Sequence, residues 1–220
     1  MGLARIPPAG TVTVGLWEAA QLSLLVASGA TVLALGPGVA LGFALARRRF
    51  PLQGLVEQAV LLPLVLPPVV TGYVLLLALP RTVAFTWVAA VLASAVVGLP
   101  LLVQTARVAF EAVGPELEDA ARVDGAGRWA AWWRVTLPVA APGVAAGTAL
   151  HFARALGEFG ATIIVAGNIP GRTQTLPLAL YASLQQAGGT RQAVEIALVS
   201  VGLAVACLGA AGALTRRLRA

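Results

Sequence analysis

The chain has 220 residues, of which 59% are hydrophobic and only 11% are charged, and its formal net charge is +6. A soluble globular domain carries about 25% charged residues and roughly 45–50% apolar ones, and a fold of this size has no core large enough to bury so much apolar surface. The composition therefore excludes an ordinary soluble domain and indicates an integral membrane protein.

Five apolar stretches follow one another along the chain, and each predicts a transmembrane helix. They cover residues 19–46, 55–79, 84–106, 139–166 and 193–214. Each is long enough to cross a hydrocarbon core of about 30 Å, and none alternates as the strands of a membrane β-barrel do. We therefore expect an all-α, polytopic membrane protein with about five transmembrane helices, with six as the alternative, in a single domain over residues 1–220.

Arginine sets the expected orientation, because the chain has no lysine. With five spans, one side of the membrane receives Arg47, Arg48, Arg49, Arg107, Arg122, Arg128, Arg134, Arg216, Arg217 and Arg219. The other side receives only Arg5, Arg81, Arg172 and Arg191. Basic residues collect on the cytoplasmic side, so the N-terminus is expected outside and the C-terminus in the cytoplasm. This clustering at the membrane edges explains the positive charge without a nucleic-acid partner.

The first and fourth stretches each carry two glycines four residues apart, Gly38 with Gly42 and Gly143 with Gly147. Small residues at this spacing let membrane helices approach closely, and they can also mark a dimer face. The pattern predicts tight helix packing.

The second stretch contains three prolines, Pro63, Pro67 and Pro68. Each proline removes a backbone donor and clashes with the preceding turn, so this helix is expected to be bent or interrupted. Broken membrane helices occur where they are buried in protein or line a cavity. Pro67 and Pro68 are therefore candidates for a pathway-lining or gating element. The alternative is that prolines are simply commoner in transmembrane helices.

Residues 111–138 form the only long polar connection on the expected cytoplasmic side. Pro115 suits the first position of a helix and Gly125 suits its C-terminal end, so a short helix is expected between them. Three tryptophans at i, i+3, i+4 spacing then share one helix face: Trp129, Trp132 and Trp133. This face either anchors the loop at the membrane surface or docks a cytoplasmic partner.

The fourth stretch holds His151, Arg154 and Glu158 inside an apolar run. Their i, i+3, i+7 spacing predicts one helix face. Arg154 is expected about 15 residues into the span, or roughly 20 Å, near the middle of the membrane. Charges at that depth are costly, so Arg154 and Glu158 are expected to neutralise each other. The face is interpreted as lining a translocation path or its gate, or else as a structural ion pair that locks helices together.

The sequence contains few of the residues and patterns that mark enzyme active sites. Cys207 and His151 are the single cysteine and the single histidine, and the patterns HExxH, GxSxG, CxxC and Walker A are absent. These patterns mark the commonest hydrolase, redox and nucleotide-binding sites. We therefore expect no catalysis, metal or cofactor in this chain, and any energy must come from a partner.

In the 111–138 loop, three residues separate Asp119-Ala120-Ala121 from Gly125, and nine more separate Gly125 from Val135-Thr136-Leu137-Pro138. This pattern resembles the EAA loop of ATP-binding-cassette importer permeases. The acid is usually Glu in that family, whereas here it is Asp119 with Glu118 before it. The resemblance implies that the loop forms a coupling helix lying in a cleft of the ATPase subunit, through Glu118, Asp119, Ala120, Ala121, Gly125, Leu137 and Pro138.

The resemblance covers nearly the whole chain. LLPLVLPPVVTGY at 61–73 and FARALGEFGATIIVAGNIPGRTQTLPLALY at 152–181 are similar to the molybdate permease subfamily, and sulfate/thiosulfate permeases share the general pattern. This implies a permease subunit that passes molybdate, or its near-isostere tungstate, into the cytoplasm by alternating access. A sulfate/thiosulfate permease is the alternative within the family. A membrane structural or assembly subunit without transport activity is the alternative from another class.

The resemblance also implies partners and a location. The chain is expected in the lipid of a bacterial or archaeal cell (inner) membrane as a homodimer, with two cytoplasmic ATPase subunits that use the ATP. An extracytoplasmic oxyanion-binding protein would choose the anion and dock on the outer side. The outer loop at 167–190 supplies polar candidates for that contact, any one of which is otherwise part of a plain solvated connection: Asn168, Arg172, Thr173 and Gln174.

Overall fold

The computed structural model describes residues 11–219, and within that range the regular structure is helical throughout. In chain order the helices are α1 (Thr11–Arg47), α2 (Gln53–Val65), α3 (Pro68–Ala78), α4 (Trp87–Glu111), α5 (Pro115–Val123), α6 (Arg128–Ala131), α7 (Leu137–Leu156), α8 (Gly160–Ala166), α9 (Leu176–Leu184) and α10 (Thr190–Arg219). A π-helical turn (Trp132–Thr136) joins α6 to α7. Arg5, one of the expected outer arginines, lies outside the described residues.

Four helical segments of the described chain are long and apolar enough to cross a membrane: Gly15–Arg47, Trp87–Glu111, Arg128–Leu156 and Thr190–Arg217. The pair α2 and α3 makes a fifth candidate span, broken by a bend of 114°. The all-α fold with about five spans is therefore confirmed.

The bend between α2 and α3 lies at Leu66 and Pro67, whose ψ angles of 144° and 131° leave the helical region. Each of these residues precedes a proline, and the residue before a proline is displaced towards extended conformations. α3 then begins at Pro68, in the first turn, where the missing N–H is not needed. The predicted interruption is confirmed, although Pro63 stays inside α2.

The centre of the bundle is α4, which packs against both α1 and α7. Gly38 and Gly42 of α1 approach it so closely that a Cβ at Gly42 would stand 2.7 Å from Ala106 Cβ. Gly143 and Gly147 approach α4 from the α7 side in the same way. The close packing predicted from the glycine spacing is confirmed, and it occurs within one chain.

The fourth apolar stretch is not the single helix that was predicted. α7 ends at Leu156, and three residues outside helix precede α8. The Glu158 carboxylate explains the break, because its Oε1 accepts a hydrogen bond from the Ala161 amide at 2.7 Å and so caps a new helix. The prediction of one helix face through His151, Arg154 and Glu158 is therefore wrong, since the first helix ends before Glu158.

The ends of α1 and α4 and the start of α7 lie at one end of the bundle. Arg47, the last residue of α1, contacts Val113 just after α4 and Glu118 of α5, and Glu118 contacts Thr136 just before α7. We call this the basic end, because it holds most of the arginines predicted to be cytoplasmic, including Arg47, Arg48, Arg49, Arg107, Arg122, Arg128 and Arg134. The loop before α9 lies at the opposite end, where the Leu176 amide donates to Ser23 of α1 at 2.8 Å.

Candidate functional site

Residues 111–138, which we call the coupling segment, form a short helix followed by a sharp turn. α5 begins with Pro115 in its first turn. After α5, Gly125 has a φ of +86°, a conformation that glycine adopts without steric cost. The turn closes where the Ala126 amide donates to the Ala121 carbonyl at 2.9 Å. The short helix predicted between Pro115 and Gly125 is confirmed.

α5 is a surface helix without a buried residue. Leu117, Ala120 and Val123 are all exposed on it, and their spacing of three residues keeps them on one side. An exposed apolar stripe of this kind, on a helix held outside the bundle, is a surface to which a second protein can bind.

The two acidic side chains at the middle of α5 have different surroundings. Asp119 is 67% exposed and pairs along its own helix with Arg122, at 3.1 Å. Glu118 is 20% exposed, and its Oε1 lies 3.0 Å from Arg47 Nη2 and accepts a hydrogen bond from Thr136 Oγ1 at 2.8 Å. Sequence reasoning missed Arg47 and Thr136. Thr136 belongs to the Val-Thr-Leu-Pro part of the motif, whereas no signal distinguishes Arg47 from the two arginines after it.

Leu137 and Pro138 begin α7 and end the coupling segment. Leu137 packs against a buried cluster that includes Phe110 and Val113. The Leu137 amide donates to the carbonyl of Trp132, five residues back, which is the hydrogen bond of a π-helical turn. The segment therefore ends at a joint that is packed into the bundle.

The tryptophan face predicted for this segment is divided between two surroundings. Trp132 packs against Phe43 of α1, with ring centroids 6.0 Å apart. Trp129 and Trp133 are exposed, although the Trp129 ring stacks on Trp132 at 5.4 Å. One tryptophan anchors the segment to α1, and the other two lie at the surface of the basic end.

A second candidate site lies where two helix breaks meet, at residues 66–68 and 157–160, which we call the paired breaks. A Cβ at Gly160 would stand 2.9 Å from Pro68 Cβ, and Gly72 of α3 approaches the backbone of α8 as closely. From this point α3 and α8 pack along each other. The fold thus brings the proline-rich break, predicted from the second stretch, beside the break at Glu158.

Arg154 and Glu158 form an ion pair at the paired breaks, with Arg154 Nη1 2.6 Å from Glu158 Oε2. The two atoms are in contact without the alignment of a hydrogen bond. The Glu158 side chain is 1% exposed and the Arg154 side chain is 29% exposed. A buried carboxylate is costly unless it is paired and hydrogen-bonded, and here Arg154 and the Ala161 amide meet that need. The pairing predicted from the spacing is present.

His151 lies apart from this ion pair, fully buried between α1, α4 and α7. Its Nδ1 is 3.2 Å from Thr31 Oγ1 and its Nε2 is 3.3 Å from the Ala95 carbonyl. The ring occupies space beside Gly98, where a Cβ would stand 2.8 Å from Nε2. The geometry makes His151 a contact between three helices. Within residues 11–219, no three His, Cys, Asp or Glu side chains are placed to hold a metal ion.

The residues predicted to dock an outer partner mostly hold their own loop together. Gln174 Nε2 donates to Asn168 Oδ1 at 2.9 Å, and Asn168 donates to a backbone carbonyl of α9. Thr173 is 1% exposed, and its hydroxyl accepts from the Ile169 amide. Thr173 is therefore not available to a partner as predicted, because its hydroxyl is used inside the turn. Arg172 is exposed.

The chain is thus a helical membrane bundle that exposes a short helix at its basic end and that holds two helix breaks against each other. The family described as binding-protein-dependent transport system inner membrane component matches residues 38–220. The chain belongs to this family, and it is a multi-pass protein of the inner membrane.

Its relatives include molybdenum and sulfate permeases. The chain is 45% identical over 206 residues to the molybdenum transport system permease protein ModB of Escherichia coli K12, covering 87% of this chain and 90% of that protein. It is 40% identical over 216 residues to ModB of Haemophilus influenzae, covering 92% and 94%. Identity to the sulfate transport system permease protein CysT of Escherichia coli is 36% over 162 residues, covering 68% and 58%.

Solved structures of ABC transporters share the fold. An inward-facing MetNI methionine ABC transporter superposes with a TM-score of 0.73 at 17% identity, covering 94% of this chain and 95% of that one. A bacterial alginate ABC transporter in complex with a pentasaccharide-bound periplasmic protein gives 0.73 at 17% identity, covering 91% and 78%.

Proposed function

We propose that this chain is the transmembrane permease subunit of an ATP-driven importer for molybdate. It passes the oxyanion from an extracytoplasmic binding protein to the cytoplasm by alternating access. The observation that supports molybdate as the substrate is the 45% identity to a molybdenum permease over nearly the full length of both proteins. Tungstate is expected to share the path as a near-isostere. A sulfate/thiosulfate permease is the second candidate, supported by the lower identity of 36%.

The importer comprises two copies of this chain, two cytoplasmic ATPase subunits and the binding protein. The sequence has no Walker A pattern, which supports ATP use by a partner. α10 exposes a row of apolar side chains along its length, a surface suited to lipid or to the second copy: Val194, Leu198, Val201, Val205 and Leu208. A purely structural subunit would leave the exposed α5 and the paired breaks without a role.

The coupling segment is the surface for the ATPase subunit. The excess of arginine at the basic end supports a cytoplasmic position for it, with the N-terminus outside. The exposed stripe on α5 supplies an apolar contact, and Asp119 supplies an exposed charge beside it. Because packed elements switch between discrete arrangements rather than stretch, a short stiff helix such as α5 can transmit a rigid movement.

The paired breaks are the gate or a wall of the anion path. Breaks in packed membrane helices occur where the backbone lines a cavity or lies within protein, and two of them meet at Pro67, Pro68 and Glu158. Arg154 is partly exposed, so its guanidinium can attract an oxyanion. Glu158 neutralises much of that charge and keeps the contact weak, which suits release of the anion. His151 supports this site by packing and does not line it.

The end of the bundle opposite the basic end is the docking surface for the binding protein. Arg172 offers the exposed charge there, while Asn168, Thr173 and Gln174 hold the loop in shape. Docking would therefore depend on Arg172 directly and on the other three through the conformation of the loop.

The test is ATP hydrolysis by the complete importer in vesicles, with the binding protein loaded with molybdate, tungstate or sulfate. Molybdate- and tungstate-loaded protein should stimulate hydrolysis and molybdate uptake, and sulfate-loaded protein should not. Stimulation by sulfate alone would replace molybdate with the second candidate. No stimulation by any loaded protein would overturn the importer role itself.

A further inference from the structure

The Glu118 carboxylate lies at a junction of four parts of the chain. Its Oε1 accepts a hydrogen bond from Thr136 Oγ1 at 2.8 Å and lies 3.0 Å from Arg47 Nη2. The same Arg47 nitrogen donates to the Val113 carbonyl at 2.8 Å. Three side chains and the Val113 carbonyl thus join the last residue of α1, the connection from α4, the middle of α5 and the residue before α7.

This junction is protected from water more than the other charges of α5. The Arg47 and Glu118 side chains are 21% and 20% exposed, and Thr136 and Val113 are buried. Charges in such partly buried positions interact more strongly than exposed pairs, which are screened by water and salt. The pair between Asp119 and Arg122 is of the exposed kind.

The neighbouring acids of α5 share Arg122 as a partner on their own helix, Asp119 at 3.1 Å and Glu118 at 3.8 Å, but Glu118 also has partners outside α5. In a helix, successive residues do not share a face, so the inward direction of Glu118 turns Asp119 outward. Asp119 is placed to meet a second protein, and Glu118 is placed to hold the bundle.

We propose that Arg47, Glu118 and Thr136 form a latch that carries the movement of α5 to α1 and α7. Glu118 and Arg47 are positioning residues, and the transmission of movement runs through them rather than through Asp119. The latch rests on the proposed coupling function of α5, and it adds a residue of α1 that lies outside the motif.

The first test is the number of molybdate ions transported per ATP hydrolysed by the complete importer in vesicles. Glu118→Gln keeps the shape of the side chain and removes its charge. The ratio should fall by about fivefold, the low end of energetic coupling between sites, while the complex still assembles and hydrolyses ATP.

Glu57→Gln is the matched control. Glu57 of α2 pairs with Arg107 of α4 at 2.5 Å and, like the latch, joins two helices through partly buried side chains. Neither Glu57 nor Arg107 belongs to α5, so the transport ratio of the Glu57→Gln variant should equal that of the wild type. A wild-type ratio in Glu118→Gln, or an equal fall in both variants, would overturn the latch.

A second measurement needs no substrate. Amide hydrogen exchange of residues 115–123 in the complete complex without ATP should speed up in Glu118→Gln and in Arg47→Gln. The double variant should exchange no faster than the faster single variant, because both changes break one interaction. Additive effects would overturn the latch. If exchange behaves as expected while the wild-type complex moves no molybdate, the proposed function fails and the physical link between α5 and α1 stands.

Discussion

The coupling segment and the paired breaks each contain a carboxylate beside an arginine, but in different settings. Glu158 is 1% exposed, and its partners are within four residues along the chain. Glu118 is 20% exposed, and besides Arg122 on its own helix, at 3.8 Å, it has partners from α1 and from the turn before α7. A buried local pair fixes the end of a helix, whereas a pair between distant elements fixes one element relative to others. Changes at the paired breaks should therefore lower stability, and changes in the coupling segment should alter coupling while folding persists.

The largest effect is expected from Arg154→Ala, which leaves Glu158 buried without an opposite charge. Removing one partner of a buried pair costs about 3–5 kcal/mol. The unfolding temperature of the detergent-solubilised protein should fall clearly, and uptake by protein that does insert should be lost. Arg191→Ala breaks an exposed pair with Glu195 and should leave the unfolding temperature nearly unchanged, because such pairs contribute little. Similar small losses in both variants would show that the buried pair at the paired breaks stabilises the fold no more than an exposed pair does.

The next effect is expected from Gly72→Ala, which pushes α3 away from α8. The new Cβ would stand 2.7 Å from the Ala161 carbonyl oxygen, and overpacking of this kind costs about 1–3 kcal/mol. Gly202→Ala in α10 is the control, because no atom lies within 4 Å of its Cβ position. That change should stabilise its helix by about 0.5–1 kcal/mol. The unfolding temperature should therefore fall for Gly72→Ala and rise for Gly202→Ala. A rise for both variants would show that α3 and α8 can separate freely.

Gly125→Leu should uncouple ATP hydrolysis from transport with only a modest loss of stability. Its φ of +86° costs a side chain about 1–2 kcal/mol, so the turn after α5 should change shape. Gly127→Leu is the matched control, because Gly127 has a φ of −64° and equally open surroundings. Transport per ATP hydrolysed, measured in vesicles, should fall in the first variant alone. Wild-type coupling in Gly125→Leu would mean that the turn does not position α5.

The smallest effect is expected from Thr136→Val, which removes one of the hydrogen bonds of the latch. The loss is about 1 kcal/mol, and Arg47 still neutralises Glu118. Amide exchange in α5 should rise slightly and the transport ratio should fall less than in Glu118→Gln. Thr148→Val removes a hydroxyl that donates to Val144 within α7 and should leave exchange in α5 as it is. A larger effect of Thr148→Val on exchange in α5 would show that α5 responds to any change in α7 and not to the latch in particular.

The sequence predicts those features of the fold that depend on neighbours along the chain. The apolar stretches predict the spans, Pro67 and Pro68 predict the bend, and Pro115 and Gly125 bound α5. The break before α8 was missed, because it depends on the Glu158 carboxylate capping a helix where the apolar pattern continues without change.

In the candidate site too, contacts between residues close in the chain were predictable and contacts between distant residues were not. Spacing of four residues is enough to predict the pair of Arg154 with Glu158. Spacing gives no information on Arg47, which meets Glu118 only because α1 and α4 end at the same level. The outer loop was predicted by polarity alone, and polarity does not distinguish a hydroxyl offered to a partner from the Thr173 hydroxyl, which is used within a turn.

The glycine contacts around α4 limit how this molecule can change shape. With Gly38 and Gly42 on one helix and Gly143 and Gly147 on another, the backbones of α1, α4 and α7 lie too close for side chains to yield between them. Sliding one of these helices along another would push a side chain of the neighbouring helix into the backbone, so the three helices form one rigid unit. In the proposed importer, two kinds of motion are then expected: rotation of this rigid unit against that of the second copy, and displacement of the short helices that border it.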